Sequence, residues 1–206
     1  MIDFEFVAPT KIFFGRKTED KVGQIIKDYG YGKVLIVFGG QSAIKSGLLG
    51  RVEAKLAESG ITYWELGGIK PNPIKAKVEE GKKIVLDNDI ELILASGGGS
   101  VIDTSKSIAV NRYYDGEVTD FNTGKAKPTK AMPIGVILTI SAAGSELSDS
   151  CVISDESKKL KAGFHHELVR PLFAIENPEL TFSCPPYQTA AGIIDMMSHS
   201  FERFMC

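Results

Sequence analysis

ELILASGGGSVIDTSKSIAV, residues 91–110, is the stretch from which the rest of the chain can be read. Glu91 to Ser96 reads as a strand, with Leu92 to Ala95 apolar, as expected of a parallel strand covered on both faces. Gly97, Gly98 and Gly99 follow at once, and Val101 to Val110 returns to a helical pattern. A strand, a glycine turn and a helix in that order bring backbone N–H groups and the positive end of a helix dipole to one point. A pyrophosphate binds there without any cationic side chain. Read alone, the turn serves an ordinary strand-to-helix connection just as well, because Ser100 and Asp103 also fit a Ser-x-x-Asp cap.

Working outward, the same alternation repeats. Towards the N-terminus, Lys33 to Phe38 (KVLIVF) is a second buried strand, and Gly39-Gly40 follows it as another phosphate-compatible turn. Before it, Thr18 is placed to cap a helix with Glu19 and Asp20 in its first turn, Val22, Ile25, Ile26 and Tyr29 as its apolar stripe, and Gly30 and Gly32 as its stop. After it, Leu49, Val52 and Leu56 form one helix face, and Thr62 to Leu66 is a strand. Pro71-Asn72-Pro73 then opens a helix with Ile74, Val78 and Val85 inward. Towards the C-terminus, Pro133 to Thr139 (PIGVILT) and Leu172 to Ile175 are strands, and Ser145 to Lys161 is polar and turn-rich. Strands alternating with helices predict an open, doubly wound α/β sheet of the dinucleotide-binding kind.

A domain boundary is expected near Ser183, giving 1–182 as the α/β domain and 183–206 as the start of a helical one. Pro185-Pro186 introduces the last helix, whose Ile194, Met197, Phe201 and Phe204 share one side without a partner, as if a further helix were to follow. Asp195 and His199 are four positions apart on it, so a carboxylate and an imidazole stand side by side, able to share one divalent metal. Without further context such a pair is more often a surface ion pair. His165 and His166 are adjacent and diverge in any regular strand, so both are expected to be exposed or structural.

A net charge of -2, spread along the 206 residues without runs of like sign, offers no face for nucleic acid. No apolar run reaches the ~18 residues of a membrane span, and the N-terminus carries no targeting pattern. Three cysteines, Cys151, Cys184 and Cys206, lack metal or redox spacing, which points to free thiols in a reducing, cytosolic compartment. The expected partners are small molecules.

Four ordered segments carry a resemblance that no single turn could: GGIKPNP (67–73), GGGSVIDTSKSIAV (97–110), PIGVILTISAAGSE (133–146) and GIIDMMSHSFERF (192–204). Together they resemble the iron-containing alcohol dehydrogenases, in particular their butanol dehydrogenase-like branch. The resemblance implies a dehydroquinate synthase-like dinucleotide domain followed by an all-helical domain, with this chain similar to an N-terminal fragment. It implies NAD or NADP bound by Gly39, Gly40, Ser42, Asn72, Gly98, Gly99, Ser100, Asp103, Thr139, Ser141, Ser148 and Lys161. Gln41 stands where similar members have glycine, and no acidic residue follows Gly40 to repel a 2'-phosphate, which leans the expectation towards NADP. Asp195 and His199 match two metal ligands of the family. Iron is the family's expectation, although zinc, nickel and manganese suit the same donors. The implied reaction interconverts primary alcohols and aldehydes, with no catalytic side chain beyond the metal ligands. The alternatives are a non-catalytic nucleotide-binding chain and a metal-dependent lyase of the same fold. Phe4 to Phe14 resembles the family's subunit-joining segment and is expected either to pair as an edge hairpin in a homodimer or to complete the chain's own sheet.

Overall fold

The computed structural model describes residue 3 and residues 7–205, the side chains of Gln41 and Ser42 excepted. The strands are β1 (Lys11–Phe14), β2 (Lys33–Phe38), β3 (Thr62–Leu66), β4 (Leu92–Gly97), β5 (Ile134–Leu138), β6 (Ser150–Asp155), β7 (Leu160–His165) and β8 (Phe173–Glu176). The helices are α1 (Val22–Asp28), α2 (Gln41–Lys45), α3 (Leu48–Glu58), α4 (Lys75–Asn88), α5 (Gly99–Asn111) and α6 (Pro186–Met205). Six strands form one sheet in the order β1-β8-β5-β4-β2-β3, every pair parallel, and β6 with β7 makes a separate antiparallel hairpin. The doubly wound reading therefore holds, and two features extend it. The polar stretch after β5 contains the β6–β7 hairpin, whose alternating burial puts Cys151, Ile153 and Asp155 inward; serines on the outward positions made it read as turn. Residues 11–14 pair with β8 inside the chain's own sheet, while Phe4 to Phe6 of the expected edge hairpin lie outside the described residues.

Alternation along the central strands divides the core in two. Val34, Ile36, Leu92 and Leu94 face α1 and α3, while Leu35, Val37, Ile93 and Ala95 face α4 and α5. A strand that must satisfy both layers has no polar face, which explains KVLIVF and LILA. In β5, Gly135 stands opposite Phe173, and a Cβ there would come within 2.2 Å of the Phe173 ring. That ring cannot retreat, since it is fully buried, with Phe13 at its edge and Tyr29 stacked at 5.7 Å. Gly135→Ala should cost about 1–3 kcal/mol. Urea unfolding would show a lower midpoint at unchanged slope; an unchanged midpoint would show that the ring has room to move.

Helix starts differ in detail from expectation. Thr18 begins a short 3-10 turn and donates to Gly15 O, leaving Lys17 in a left-handed N-cap position with no side-chain cap. Ile74 is extended before α4, bridging Ser154 of β6, and Asn72 has φ 59.

Candidate functional site

The chain reverses its lateral direction between β2 and β4: from β2 it winds outward to β3, then crosses back to β4 and on to β5 and β8. At such a switch point the loops leaving the carboxyl ends of the two strands part and leave a crevice. Here those loops are Gly39-Gly40 and Gly97-Gly98. A cleft of about 890 Å³ opens there, within the range of pockets that hold small-molecule ligands. Its wall includes Gly39, Ser96, Gly98, Thr139, Asn177 and Leu180.

Gly98 is the N-cap of α5, extended at φ -96 and ψ -168, with no side-chain cap. Helix N-termini leave their first N–H groups without intrahelical partners, so Gly99, Ser100 and their neighbours present donors and the helix dipole to the cleft. A Cβ on Gly98 would lie 2.5 Å from Ile140 Cγ2, inside the opening. Ser96 is fully buried, its Oγ has no hydrogen-bond partner, and the residue lines the same cleft. A buried hydroxyl without a partner suits an oxygen-rich guest. The residues present therefore fit a pyrophosphate.

The candidate residues gather in several places. Gly39, Gly98 and Thr139 share the cleft wall, Gly40 continues the turn beside it, and Ser42 lies in α2 with its side chain outside the described residues. Ser141 is exposed in the segment after β5, its carbonyl 3.7 Å from where a Cβ on Gly192 of α6 would sit. Asn72 and Lys161 meet each other instead of the cleft, Lys161 Nζ donating to Asn72 Oδ1 at 2.7 Å. Asp103 does not cap α5. Its carboxylate accepts from Ser145 Oγ at 2.7 Å and Val152 N at 3.0 Å, because the helix begins at Gly99 and Asp103 already lies beyond the first turn. Burial raises its pKa, opposed by those two hydrogen bonds and by Lys106.

Asp195 and His199 stand together as their spacing requires, 3.7 Å apart on α6, each about two-thirds exposed (65% and 67%). They fit as two donors to a divalent ion. Among the described residues no group of three or more such side chains forms. His165 is exposed on β7, and His166 accepts from Leu168 N as the cap of a short turn.

Two arrangements escaped the sequence. On one side of the cleft Glu19, 3% exposed, accepts from Asn177 Nδ2 at 2.9 Å and pairs with Arg51 at 3.4 Å, joining parts of the chain far apart in sequence. Beneath the glycine turn Lys106 is fully buried, and burial lowers its pKa to about 8, against the opposing charges of Asp103, Cys151, Asp149 and Glu146. Thr104, Ser105, Ser107 and Ala109 around it are buried too, so α5 has no solvent face on which a lysine could rest.

Comparison with known proteins agrees with this geometry. The family model described as iron-containing alcohol dehydrogenase matches residues 9–178. NADH-dependent butanol dehydrogenase A of Clostridium acetobutylicum is 45% identical over 99% of this chain and 52% of its own length. The NADPH-dependent aldehyde reductase YqhD of Escherichia coli is 35% identical over 100% and 53%. The crystal structure of NADH-dependent butanol dehydrogenase A from Thermotoga maritima superposes with a TM-score of 0.92 at 40% identity, over 96% of this chain and 50% of that one. The chain thus spans about half the length of the curated relatives it matches. A family match that runs unbroken from before the first strand of the sheet to beyond its last, over a fold whose glycine turns flank the switch point, settles the lineage: the chain belongs to the iron-containing alcohol dehydrogenase family.

Proposed function

We propose that this chain is the dinucleotide-binding part of a metal-dependent NAD(P)-linked oxidoreductase that interconverts primary alcohols and aldehydes. The observation that carries the reading is the uncapped N-terminus of α5, opening with Ser96 and Gly98 into the switch-point cleft. When bound, the dinucleotide supplies the hydride donor or acceptor, and a divalent ion, iron by family expectation, supplies Lewis acidity for charge on the substrate oxygen. The chain's own part is positional. Gly98, Gly99 and Ser100 bind the pyrophosphate through main-chain N–H groups, Gly39 and Gly40 leave room beside it, and Asp195 and His199 hold the ion. Two donors alone hold an ion weakly, so the remaining donors come from other residues.

Residues 1–182 form the nucleotide unit in this reading and 183–206 open a helical one. Two facts support it: no residue of α6 is buried, and the relatives are about twice as long. Both dinucleotides are expected to enter, NADP because no acidic residue follows Gly40, and NAD because the relatives at 45% and 40% identity are named NADH-dependent. A cytoplasmic setting and a homodimer through the exposed β1 edge complete the reading. Ile12 and Phe14 are 47% and 70% exposed on that strand, and among the described residues no helix is long and apolar enough to cross a membrane.

Calorimetric titration with NADH and NADPH, each with and without ferrous or zinc ion, tests the proposal. Saturable binding of either dinucleotide is expected; no binding of either would overturn it. The double variant Asp195→Ala/His199→Ala should leave dinucleotide affinity within about twofold and reduce retained metal, read by metal analysis after desalting. A variant that retains as much metal as the parent would remove these residues from the metal site.

A further inference from the structure

Among the described residues, the Lys106 ammonium hydrogen-bonds to one short segment. Its Nζ donates to Ser145 Oγ at 3.2 Å, Ser148 O at 2.8 Å, Ser148 Oγ at 3.2 Å and Ser150 O at 2.8 Å. These four oxygens belong to residues 145–150, which lead into β6. Asp103, one turn earlier on α5, ties down the same segment through Ser145 Oγ and Val152 N. The segment and its approach lie against the glycine turn: Ala143 Cβ and Ser145 Cβ are 3.6 and 4.0 Å from where a Cβ on Gly99 would sit. One helix therefore presents its first N–H groups to the cleft and, from its second turn, grips the strip of chain across from them.

An ammonium removed from water without a carboxylate in contact is an expensive way to stabilise a fold, and apolar replacements of buried charges are often neutral or favourable. What a cation among four oxygens does supply is a defined position for the chain that carries them. We propose that Lys106, assisted by Asp103, is a positioning residue for the dinucleotide, a tethered cation that fixes Ser145 to Ser150 as the second wall of the phosphate-binding turn. The inference rests on the dinucleotide reading above and reaches beyond it, because Lys106 touches no part of the cleft itself and acts through Ser145 and Ser148.

The test compares Lys106→Met and Lys106→Ala with the parent by urea unfolding, calorimetric titration with NADPH and NADH, and amide hydrogen exchange across 145–150. Lys106→Met is expected to unfold at a similar or higher urea concentration, to bind dinucleotide at least about tenfold more weakly, and to exchange faster in that segment alone. Lys106→Ala leaves a space the length of a short alkylammonium, lined by oxygens at its far end, and added ethylammonium should restore both slow exchange and affinity. Unchanged exchange and affinity in a folded Lys106→Met would overturn the proposal. If the methionine variant fails to fold, the alanine variant decides: rescue by ethylammonium supports the tethered cation, and absence of rescue overturns it. A parent chain that binds neither dinucleotide would sink the functional reading, while hydrogen exchange in the two variants still decides whether Lys106 fixes the segment.

Discussion

Gly98→Asp is expected to abolish dinucleotide binding while leaving the fold as stable as before or slightly more so. Gly98 is the N-cap of α5, in an extended conformation open to any residue, and aspartate is among the best N-cap residues. Its carboxylate would also sit at the positive end of the helix dipole, favourable by a few tenths of a kcal/mol or more. The same carboxylate stands where a pyrophosphate must come. At about 4 Å and an effective dielectric of about 20, two like charges repel by about 4 kcal/mol, on the order of a thousandfold in affinity. The added Cβ would meet Ile140 Cγ2 at 2.5 Å, so Ile140 must change rotamer to admit it; that side chain is 37% exposed, and the shift falls outside the core. Thermal unfolding and NADPH titration on one preparation separate the two effects. Loss of stability together with binding would mean that Gly98 serves the backbone rather than the ligand. Binding within tenfold of the parent would place the phosphates elsewhere.

Raising the pH from 7 towards 10 should strengthen the fold and weaken dinucleotide binding at once, both through Lys106. Its folded pKa of about 8 lies below the ordinary 10.5, so between those values the unfolded chain carries a proton that the folded chain has shed. Stability rises with pH wherever the unfolded state binds more protons, and the full gap is on the order of 3 kcal/mol. Below about pH 8 the ammonium is intact and that contribution is absent. Binding runs the other way: the neutral amine has lost its charge and one donor, and its hold on Ser148 and Ser150 slackens. Asp103 on α5, Cys151 on β6, and Asp149 and Glu146 in the gripped segment all oppose the loss of charge. Because tyrosines and other lysines also titrate in this range, the comparison is with Lys106→Met, which should lack both trends. Parallel stability and affinity profiles for the two proteins from pH 7 to 10 would show that Lys106 does not titrate there.

What could be read from the residues is what local chemistry decides. Val34 to Phe38 and Leu92 to Ala95 are strands because nothing in them tolerates water on either side, and the glycines that follow mark the crevice. Asp195 and His199 meet because a helix brings positions four apart together. The β6–β7 hairpin is hidden because serines at its outward positions 150 and 154 give it the composition of a loop, and its inward residues find their neighbours on α5 and α4, far away in the chain. The resemblance assigns Asn72 and Lys161 to one ligand, and their mutual hydrogen bond, joining chain 89 positions apart, is not legible in the sequence. Lys106 was passed over for a related reason. A lysine in a helix is ordinarily a surface residue, and only the packing of α4, β4 and the β6 segment around α5 removes its solvent.

The placement of β1 has a consequence for how the protein is made. Among the described residues its one partner in the sheet is β8, and Thr10 donates to Pro171 O across 161 positions of chain. During synthesis at about 5–20 residues per second, residues 11–14 leave the ribosome many seconds before the strand they pair with exists. The inner strands β2 to β5 can assemble early, but the edge formed by β1 must wait, with its backbone unpaired and Phe13 without its core neighbours, until Phe173 to Glu176 emerge. Closing so long a loop is slow even when it costs little at equilibrium. The strand of this sheet that comes first in chain order is therefore the last to be seated, and a ribosome stalled before residue 173 holds a nascent chain with a free β edge, a natural point of capture for chaperones.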